Sequence, residues 1–147
     1  MVVVLDASAL LALWLIEPGA EVVRDAIDAE GALITSVNMA EVLAKMEDLH
    51  PGFTSGLREV PKRSDGETQI RSKDKPIRPG SFTVEPFTYL DSVISSSLRE
   101  KTRSRCLSLG DRSCLALAKR MDLEVLTADQ AWHEIADEIA VTVRLIR

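Results

Sequence analysis

Short apolar runs alternate with amphipathic segments along most of the chain, which is the pattern of strands and helices in turn. The strand candidates are continuously apolar or rich in β-branched residues, as expected of strands that are buried on both faces of a sheet. We predict strands over Val2–Leu5, Ala32–Thr35, Phe82–Phe87, Glu124–Thr127 and Val141–Ile146.

The segments between these strands carry apolar residues at helical spacing. We predict helices over Ala9–Ile16, Ala20–Ala29, Asn38–Leu49, Tyr89–Arg105, Asp111–Met121 and Asp129–Asp137. Strands and helices that alternate in this way favour an α/β fold with a mostly parallel sheet covered on both faces. At 147 residues the chain has the common size of one domain, so we predict a single domain over residues 1–147.

The segment from 50 to 81 breaks this pattern. It holds four prolines, four glycines, many charges and few large apolar residues. A segment of this composition cannot bury much surface. We predict a long mobile loop or a locally ordered arm within the domain, and not a linker between domains.

Hydrophobic residues make up 46% of the chain and charged residues 28%, which is ordinary for a globular protein and excludes a disordered or fibrous class. The net charge is −5, yet residues 58–112 hold 12 Lys and Arg against 8 Asp and Glu. A local positive surface of this kind can bind phosphate groups, although a solvated loop and helix face explains the same charges. The candidate phosphate contacts are Lys62, Arg63, Arg71, Lys73, Arg99, Lys101, Arg103 and Arg105.

The first residues carry no basic leader, and their apolar run is interrupted at Asp6, so we expect a cytoplasmic protein without a membrane segment. Cys106 and Cys114 lack a paired-thiol motif and nearby histidines at ligand spacing. Zinc and a disulfide framework are therefore not expected, and both thiols are predicted to be reduced.

Acidic side chains stand at the points where the chain changes from a strand into a helix. These residues are Asp6, Glu41, Asp111 and Asp129. Open parallel sheets bind ligands at the carboxyl ends of their strands, so acids at these points could converge. Converging carboxylates repel one another, and Mg²⁺ or Mn²⁺, which take oxygen ligands and suit chemistry on phosphates, would hold them together.

The first two acids also have local explanations at helix N-termini. Asp6 or Ser8 could cap the first helix. Asn38 could cap the third helix, with Glu41 at its third position. Either acid could thus be explained without a ligand.

The other two acids have local explanations of the same kind. Ser108 and Asp111 match a capping box, and Thr127 with Gln130 could form another around Asp129. The two interpretations are compatible, since helix N-termini stabilise negative charge and also attract phosphate oxygens.

Four segments carry a family resemblance. They read Val-Val-Val-Leu-Asp6-Ala-Ser8-Ala-Leu, Asn38-Met-Ala-Glu41-Val-Leu, Leu109-Gly-Asp111-Arg-Ser-Cys-Leu-Ala-Leu-Ala and Val125-Leu-Thr127-Ala-Asp129-Gln-Ala-Trp132. Together, and in this order, they resemble the PIN-domain ribonucleases, and within that family the VapC-type toxins of prokaryotic toxin–antitoxin pairs. The resemblance covers nearly the whole chain except the central loop, which looks longer and more polar than the connection usual for the family.

The resemblance implies a three-layer α/β/α sandwich in which Asp6, Glu41 and Asp111 bind Mg²⁺ or Mn²⁺. Asp129 matches a fourth, more weakly engaged acid. Ser8 and Thr127 match polar positions beside the site that would orient its ligands.

The implied function is that of a metal-dependent endoribonuclease, the toxin of a type II toxin–antitoxin system. It would hydrolyse RNA phosphodiesters in line, with a metal-activated water. The same resemblance implies a cognate antitoxin protein as partner and a homodimer.

Two other classes stay open at this point. A catalytically inactive PIN-like RNA-binding or protein-interaction module would share the fold, although the presence of all four acids speaks against it. An aspartyl-phosphate phosphatase would need a second acid two residues after its nucleophile, where Asp6-Ala-Ser8 has a serine.

Overall fold

A computed structural model describes residues 1–58 and 80–147 of the chain. Its strands form one five-stranded sheet in the order β3-β2-β1-β4-β5. The strands are β1 Val3–Leu5, β2 Ala32–Thr35, β3 Phe82–Glu85, β4 Val125–Thr127 and β5 Val143–Leu145. Each neighbouring pair within this sheet is parallel. The predicted strands and the parallel sheet are confirmed.

Helices connect these strands. They are α1 Ala7–Leu15, α2 Ala20–Glu30, α3 Ser36–Leu49, α4 Phe53–Arg58, α5 Tyr89–Ser97, α6 Arg99–Thr102, α7 Leu109–Met121 and α8 Gln130–Ile139, with a 3-10 turn at Arg103–Arg105 between α6 and α7. Among the described residues, no helix is both long and apolar enough to cross a membrane.

The sheet separates two hydrophobic clusters, because successive side chains of a strand point to opposite faces. Val3 and Leu5 of β1 pack with residues of α1, α2 and α3. Val4, between them, packs with residues of α7 and α8. Helices therefore cover both faces of the sheet, which confirms the expected three-layer α/β/α sandwich.

The central strand β1 lies between β2 and β4, and Val4 is in register with both Leu33 and Val125. From β1 the chain builds β2 and β3 outward on one side, then returns to place β4 and β5 on the other. The strand order thus reverses between β1 and β4. In open α/β sheets, the crevice at the carboxyl ends of two such strands is the usual place for a ligand.

Two predicted helix caps were wrong. The N-cap of α3 is Thr35 and not Asn38, because β2 runs directly into the helix and the Thr35 hydroxyl accepts the Asn38 amide at 2.9 Å. Asp129 caps α8. No capping box joins Thr127 to Gln130, because the Thr127 hydroxyl donates to Asp6, which follows β1.

The single helix predicted over Tyr89–Arg105 was also wrong. The structure divides it into α5, α6 and the 3-10 turn, which ends at Cys106 in the left-handed region with φ 55°. The serine-rich end of α5 explains the break, since serine hydroxyls compete for helix carbonyls. The Ser97 hydroxyl, for example, donates to the Ile94 carbonyl at 2.7 Å.

Part of the segment predicted as a loop or arm, residues 50–81, is helical. Helix α4 begins there because the Glu47 carboxylate accepts the amides of Gly52 and Thr54, each at 2.8 Å. Phe53 then packs against Trp14 with ring centroids 6.3 Å apart. The prediction for residues 59–79 lies outside the described residues.

Candidate active site

Asp6 follows β1 and is 5% exposed. Its Oδ2 accepts the Ser8 amide at 3.3 Å, which caps α1. The same oxygen accepts the hydroxyls of Ser8 at 2.5 Å and Thr127 at 3.0 Å. The Ala7 backbone amide is a further hydrogen-bond donor to this carboxylate.

Glu41 lies one turn into α3 and is held by Asn38, which is fully buried. The Asn38 amide donates to Glu41 Oε2 at 3.0 Å and to the Gly110 carbonyl at 3.1 Å. Its own oxygen accepts the Thr35 hydroxyl at 2.5 Å. Asn38 therefore fixes one oxygen of Glu41 and ties α3 to the first turn of α7, while Oε1 is left without a hydrogen bond from the described residues.

Asp111 occupies the first turn of α7 and forms the predicted capping box with Ser108. Its Oδ2 accepts the Ser108 amide at 2.6 Å, and the Ser108 hydroxyl accepts the Asp111 amide at 3.1 Å. As in Asp6 and Glu41, one carboxylate oxygen is anchored. The other has no hydrogen bond from the described part of the chain.

The three carboxylates lie within one electrostatic field. Burial raises the pKa of Asp6, hydrogen bonds from Ser8 and Thr127 oppose this, and the charge of Asp111 adds to it. Loss of hydration raises the pKa of Glu41 against the Asn38 hydrogen bond, and the charges of Asp6 and Asp111 raise it further. Like charges held together in this way favour the binding of a cation.

The pKa of the Cys114 thiol is affected by the same three carboxylates. This side chain is buried in α7, one turn after Asp111. Burial raises its pKa well above the ordinary value, and the charges of Asp6, Asp111 and Glu41 add to the shift. The three acids from β1, α3 and α7 thus surround one region of the protein.

Asp129 stands apart from this group. It is exposed and accepts the Ala131 amide at 2.9 Å, and its charge contributes to the pKa of neither Asp6 nor Glu41. Its backbone amide donates to the Thr127 hydroxyl at 3.1 Å. Thr127 therefore connects Asp129 to Asp6 across the crevice between β4 and β1.

Ser8 and Thr127 contact the site directly. Besides their bonds to Asp6, the two hydroxyls lie 3.3 Å apart, and Ser8 Oγ accepts the Ala128 amide at 3.0 Å. These contacts hold the Asp6 carboxylate in one orientation. Positioning of this type is what polar neighbours provide to a metal ligand.

The three carboxylates are suitable metal ligands by their chemistry, but their arrangement does not form a metal site. Three carboxylates are the donors that a hard divalent cation prefers. Among the described residues, however, no group of three or more His, Cys, Asp or Glu side chains is arranged so that it could hold a metal ion. A site formed by Asp6, Glu41 and Asp111 therefore requires these side chains to move closer together.

The predicted phosphate contacts separate into different groups. Lys101 donates to the Glu138 carbonyl at 3.0 Å, and Arg105 forms an ion pair with Glu134, so both are directed at α8. Arg99 and Arg103 line a cavity. The remaining candidates, Lys62, Arg63, Arg71 and Lys73, lie outside the described residues.

Three residues that contribute to the site did not stand out in the sequence. Asn38 had been assigned a local cap, although it contacts both Glu41 and Gly110. Gly110 lies directly under the Glu41 carboxylate. Arg112, which follows Asp111, was not considered as a contact. The Asn38 and Gly110 positions were visible in the motifs but carried no sign of their mutual contact.

Comparison with known proteins identifies the family. The sequence matches the family model described as PIN domain over residues 3–138, and the chain belongs to this family. No protein of curated function matches the sequence significantly.

Several solved structures share the fold. The chain is similar to a toxin-antitoxin complex from Klebsiella pneumoniae, with 16% identity, a TM-score of 0.65, and coverage of 99% of this chain and 98% of the other. It is also similar to FitAcB from Neisseria gonorrhoeae, with 19% identity, a TM-score of 0.59, and coverage of 97% and 96%. VapBC2 from Rickettsia felis, bound to a DNA fragment from their promoter, shows 12% identity, a TM-score of 0.63, and coverage of 99% and 98%.

Proposed function

We propose that this protein is a metal-dependent endoribonuclease that acts as the toxin of a type II toxin–antitoxin pair. One observation carries the proposal: Asp6, Glu41 and Asp111 each have one oxygen anchored by local donors, and the charges of these acids raise the pKa of Asp6 and Glu41. Membership of the PIN-domain family and the similarity to toxin–antitoxin complexes support it.

In this proposal Asp6, Glu41 and Asp111 hold Mg²⁺ or Mn²⁺, and Asp129 assists from the exposed side of the crevice. The bound ion supplies charge neutralisation at the phosphodiester and eases proton loss from the attacking water. Of the four predicted acids, we expect Asp129 to contribute least to cleavage, because its charge affects the pKa of neither Asp6 nor Glu41.

The neighbouring side chains keep these acids in place. Ser8 and Thr127 hold Oδ2 of Asp6. Asn38 and Ser108 each anchor one carboxylate oxygen, of Glu41 and of Asp111 respectively. Pre-positioned side chains of this kind lower the entropic cost of catalysis.

A cleavage assay tests the proposal. The purified protein is incubated with single-stranded RNA and Mn²⁺ or Mg²⁺, with and without a chelator, beside Asp6→Asn and Asp25→Asn. Asp25 is an exposed acid on α2, so its variant controls for the loss of one carboxylate. We expect cleavage by the parent and Asp25→Asn, loss of at least a hundredfold in Asp6→Asn, and no activity with chelator. Metal-independent cleavage would contradict the proposal.

A catalytically inactive PIN-like module is the alternative, and the lack of a ready metal-holding group among the described residues favours it. The same assay decides between the two. Failure of the parent to cut any RNA in a diverse pool, with either ion present, would favour the inactive module.

The remaining features of the proposal concern assembly and location. We propose that residues 1–147 act as one domain, that the protein forms a homodimer in the cytoplasm, and that an antitoxin restrains it. Toxin–antitoxin complexes among the similar structures support such a partner. Growth arrest on expression of the parent, absent with Asp6→Asn and relieved by a co-expressed neighbouring gene product, would test it.

A further inference from the structure

A cavity of about 160 Å³ opens where the 3-10 turn leads into α7. It has room for several water molecules. Its lining combines three arginines with small and apolar side chains, namely Arg99, Thr102, Arg103, Cys106, Leu107 and Arg112. None of these residues is acidic, so the cavity has a strongly positive lining.

Arg112 is the buried member of this group and is only 8% exposed. Within the described residues its guanidinium group makes one hydrogen bond, from Nε to the Ser108 carbonyl at 3.3 Å. A guanidinium group carries five N–H donors. The terminal nitrogens of Arg112 are not among the buried atoms that lack a partner, so they are open to the cavity that Arg112 lines and can donate to an acceptor there.

Arg99 and Arg103 complete the positive lining. They are four residues apart on one helical segment and both exposed, and in the described part of the chain neither side chain forms an ion pair or a hydrogen bond. Their neighbours Lys101 and Arg105 differ, because both are engaged with α8. Three guanidinium groups around one cavity repel one another, and an anion would relieve that repulsion.

One residue connects the cavity to the acids. The Ser108 amide donates to Asp111 at 2.6 Å, while the Ser108 carbonyl accepts from Arg112 at 3.3 Å. The carboxylate of Asp111 and the guanidinium group of Arg112 thus hold the two ends of the same residue. The cavity and the carboxylate site are therefore linked through Ser108.

We propose that this cavity is a phosphate subsite, which holds a non-reacting phosphate group of the RNA strand next to the bond that is cut. Guanidinium groups suit this task because they bind phosphate oxygens through paired, charge-assisted hydrogen bonds. The inference rests on the proposed nuclease function and refines it: Arg99, Arg103 and Arg112 position the strand, whereas Lys101 and Arg105 do not.

The test compares two double variants of equal charge change. Arg99→Gln with Arg103→Gln removes the exposed half of the cavity, and Lys101→Gln with Arg105→Gln is the matched control on the same segment. Affinity for a single-stranded RNA oligonucleotide is measured against salt concentration, with Asp6→Asn added to every protein so that the strand stays uncut.

We expect the cavity variant to bind RNA at least tenfold more weakly. Each phosphate contact in a single strand contributes about 0.7 to the slope of log affinity against log salt, so the slope should flatten by about 1.4 for two lost contacts. The control should change affinity less than threefold. Inorganic phosphate should compete with RNA on the control protein and less on the cavity variant.

Two results would overturn the inference: equal loss of RNA affinity in both variants, or unchanged RNA binding together with lost binding of a glutamate decapeptide, which would assign the cavity to an acidic protein segment. Steady-state cleavage with intact Asp6 separates this from the proposed function. We expect the cavity variant to raise KM about tenfold with kcat within about twofold. A parent that binds RNA through the cavity but never cuts it would refute the nuclease and leave the subsite standing.

Discussion

The Glu41 carboxylate rests against the α-carbon of Gly110, so closely that a Cβ at position 110 would overlap it and lie 2.6 Å from its Cδ. Asn38 holds both sides of this contact, one through the Glu41 carboxylate and the other through the Gly110 carbonyl. The Glu41 carboxylate can take this position only because residue 110 has no side chain. The position of one candidate ligand thus depends on a glycine in another helix.

Gly110→Ala should impair activity without unfolding the protein. The added methyl group pushes aside the end of a flexible side chain, which is cheap for stability, and alanine is the better helix former by about 1 kcal/mol. The Glu41 carboxylate is displaced from its position in the candidate site, and the reaction loses its contribution. We expect RNA cleavage to fall by roughly ten- to a hundredfold, as for loss of a ligand-orienting contact, with the melting temperature nearly unchanged.

Gly56→Ala is the matched control, because a Cβ at that position of α4 meets no atom of the described residues within 4 Å. Its activity should equal that of the parent. If Gly110→Ala cuts RNA as fast as this control, Glu41 has no part in the reaction.

Thr127→Val should weaken the site through Asp6. The substitution keeps the side-chain shape but removes a buried hydroxyl that donates to Asp6 and accepts the Asp129 amide. We expect a stability loss of about 1–3 kcal/mol from the unpaired amide, and cleavage reduced about tenfold or more. Thr127→Ser, which keeps the hydroxyl, should restore most of the activity in the same assay; failure of this rescue would argue for a packing effect.

Asp6→Asn should raise the thermal stability of the cation-free protein. The donors from Ser8 and Thr127 reach Oδ2, so an asparagine oxygen can keep their bonds, while the repulsion with Asp111 disappears. Because the folded-state pKa of Asp6 is raised, its ionised form costs stability at neutral pH, and this cost vanishes as pH falls and the group takes up a proton. The difference in melting temperature between variant and parent should accordingly shrink in acid.

Divalent cations should make the parent protein more stable than Asp6→Asn. An ion bound only by the folded state adds about 2.7 kcal/mol at a hundred times its Kd. Mn²⁺ should therefore raise the melting temperature of the parent and leave Asp6→Asn almost unaffected, as measured by calorimetry with and without chelator. An equal shift in both proteins would place the ion elsewhere.

The ion pair between Asp91 and Arg120 should control acid stability. Asp91 is 2% exposed, joins α5 to α7 through Arg120 Nε at 2.7 Å, and forms a capping box with Thr88. Burial works against ionisation, but the hydrogen bonds from Arg120 and Thr88 prevail and hold the pKa of Asp91 below its usual 3.8. Arg120→Gln leaves a buried carboxylate without its cation, which costs on the order of 3 kcal/mol.

The pH dependence follows from the lowered pKa. The pair contributes its full stability above pH 3.8, the ordinary value, and loses it as pH falls through the lower folded-state pKa. Denaturant unfolding of parent and Arg120→Gln should differ most near pH 7 and converge in strong acid. Asp91→Asn should show less pH dependence than the parent. A parent–variant gap that is constant with pH would contradict the assignment.

Local patterns were sufficient for much of the fold. The strand Ala32–Thr35 was predicted with the bounds it has, because a short β-branched run between two helical patterns has few alternatives. The capping box of Ser108 and Asp111 was predicted for a similar reason, since its partners are three residues apart. The cap of α3 was misassigned because Thr35 and Asn38 both suit the position, and only the end of β2 selects between them.

The order of strands and helices, the parallel sheet and the acids at strand ends could be predicted from the sequence, because they depend on periodicity and on neighbours along the chain. Folding in three dimensions establishes which acids affect one another's pKa, which oxygen of each is anchored, and which arginines line one cavity. Asp6 meets Thr127, and Glu41 meets Gly110, only through the packing of β1 with β4 and of α3 with α7. Contacts between residues so far apart depend on side-chain shape and helix approach, and no local pattern encodes them.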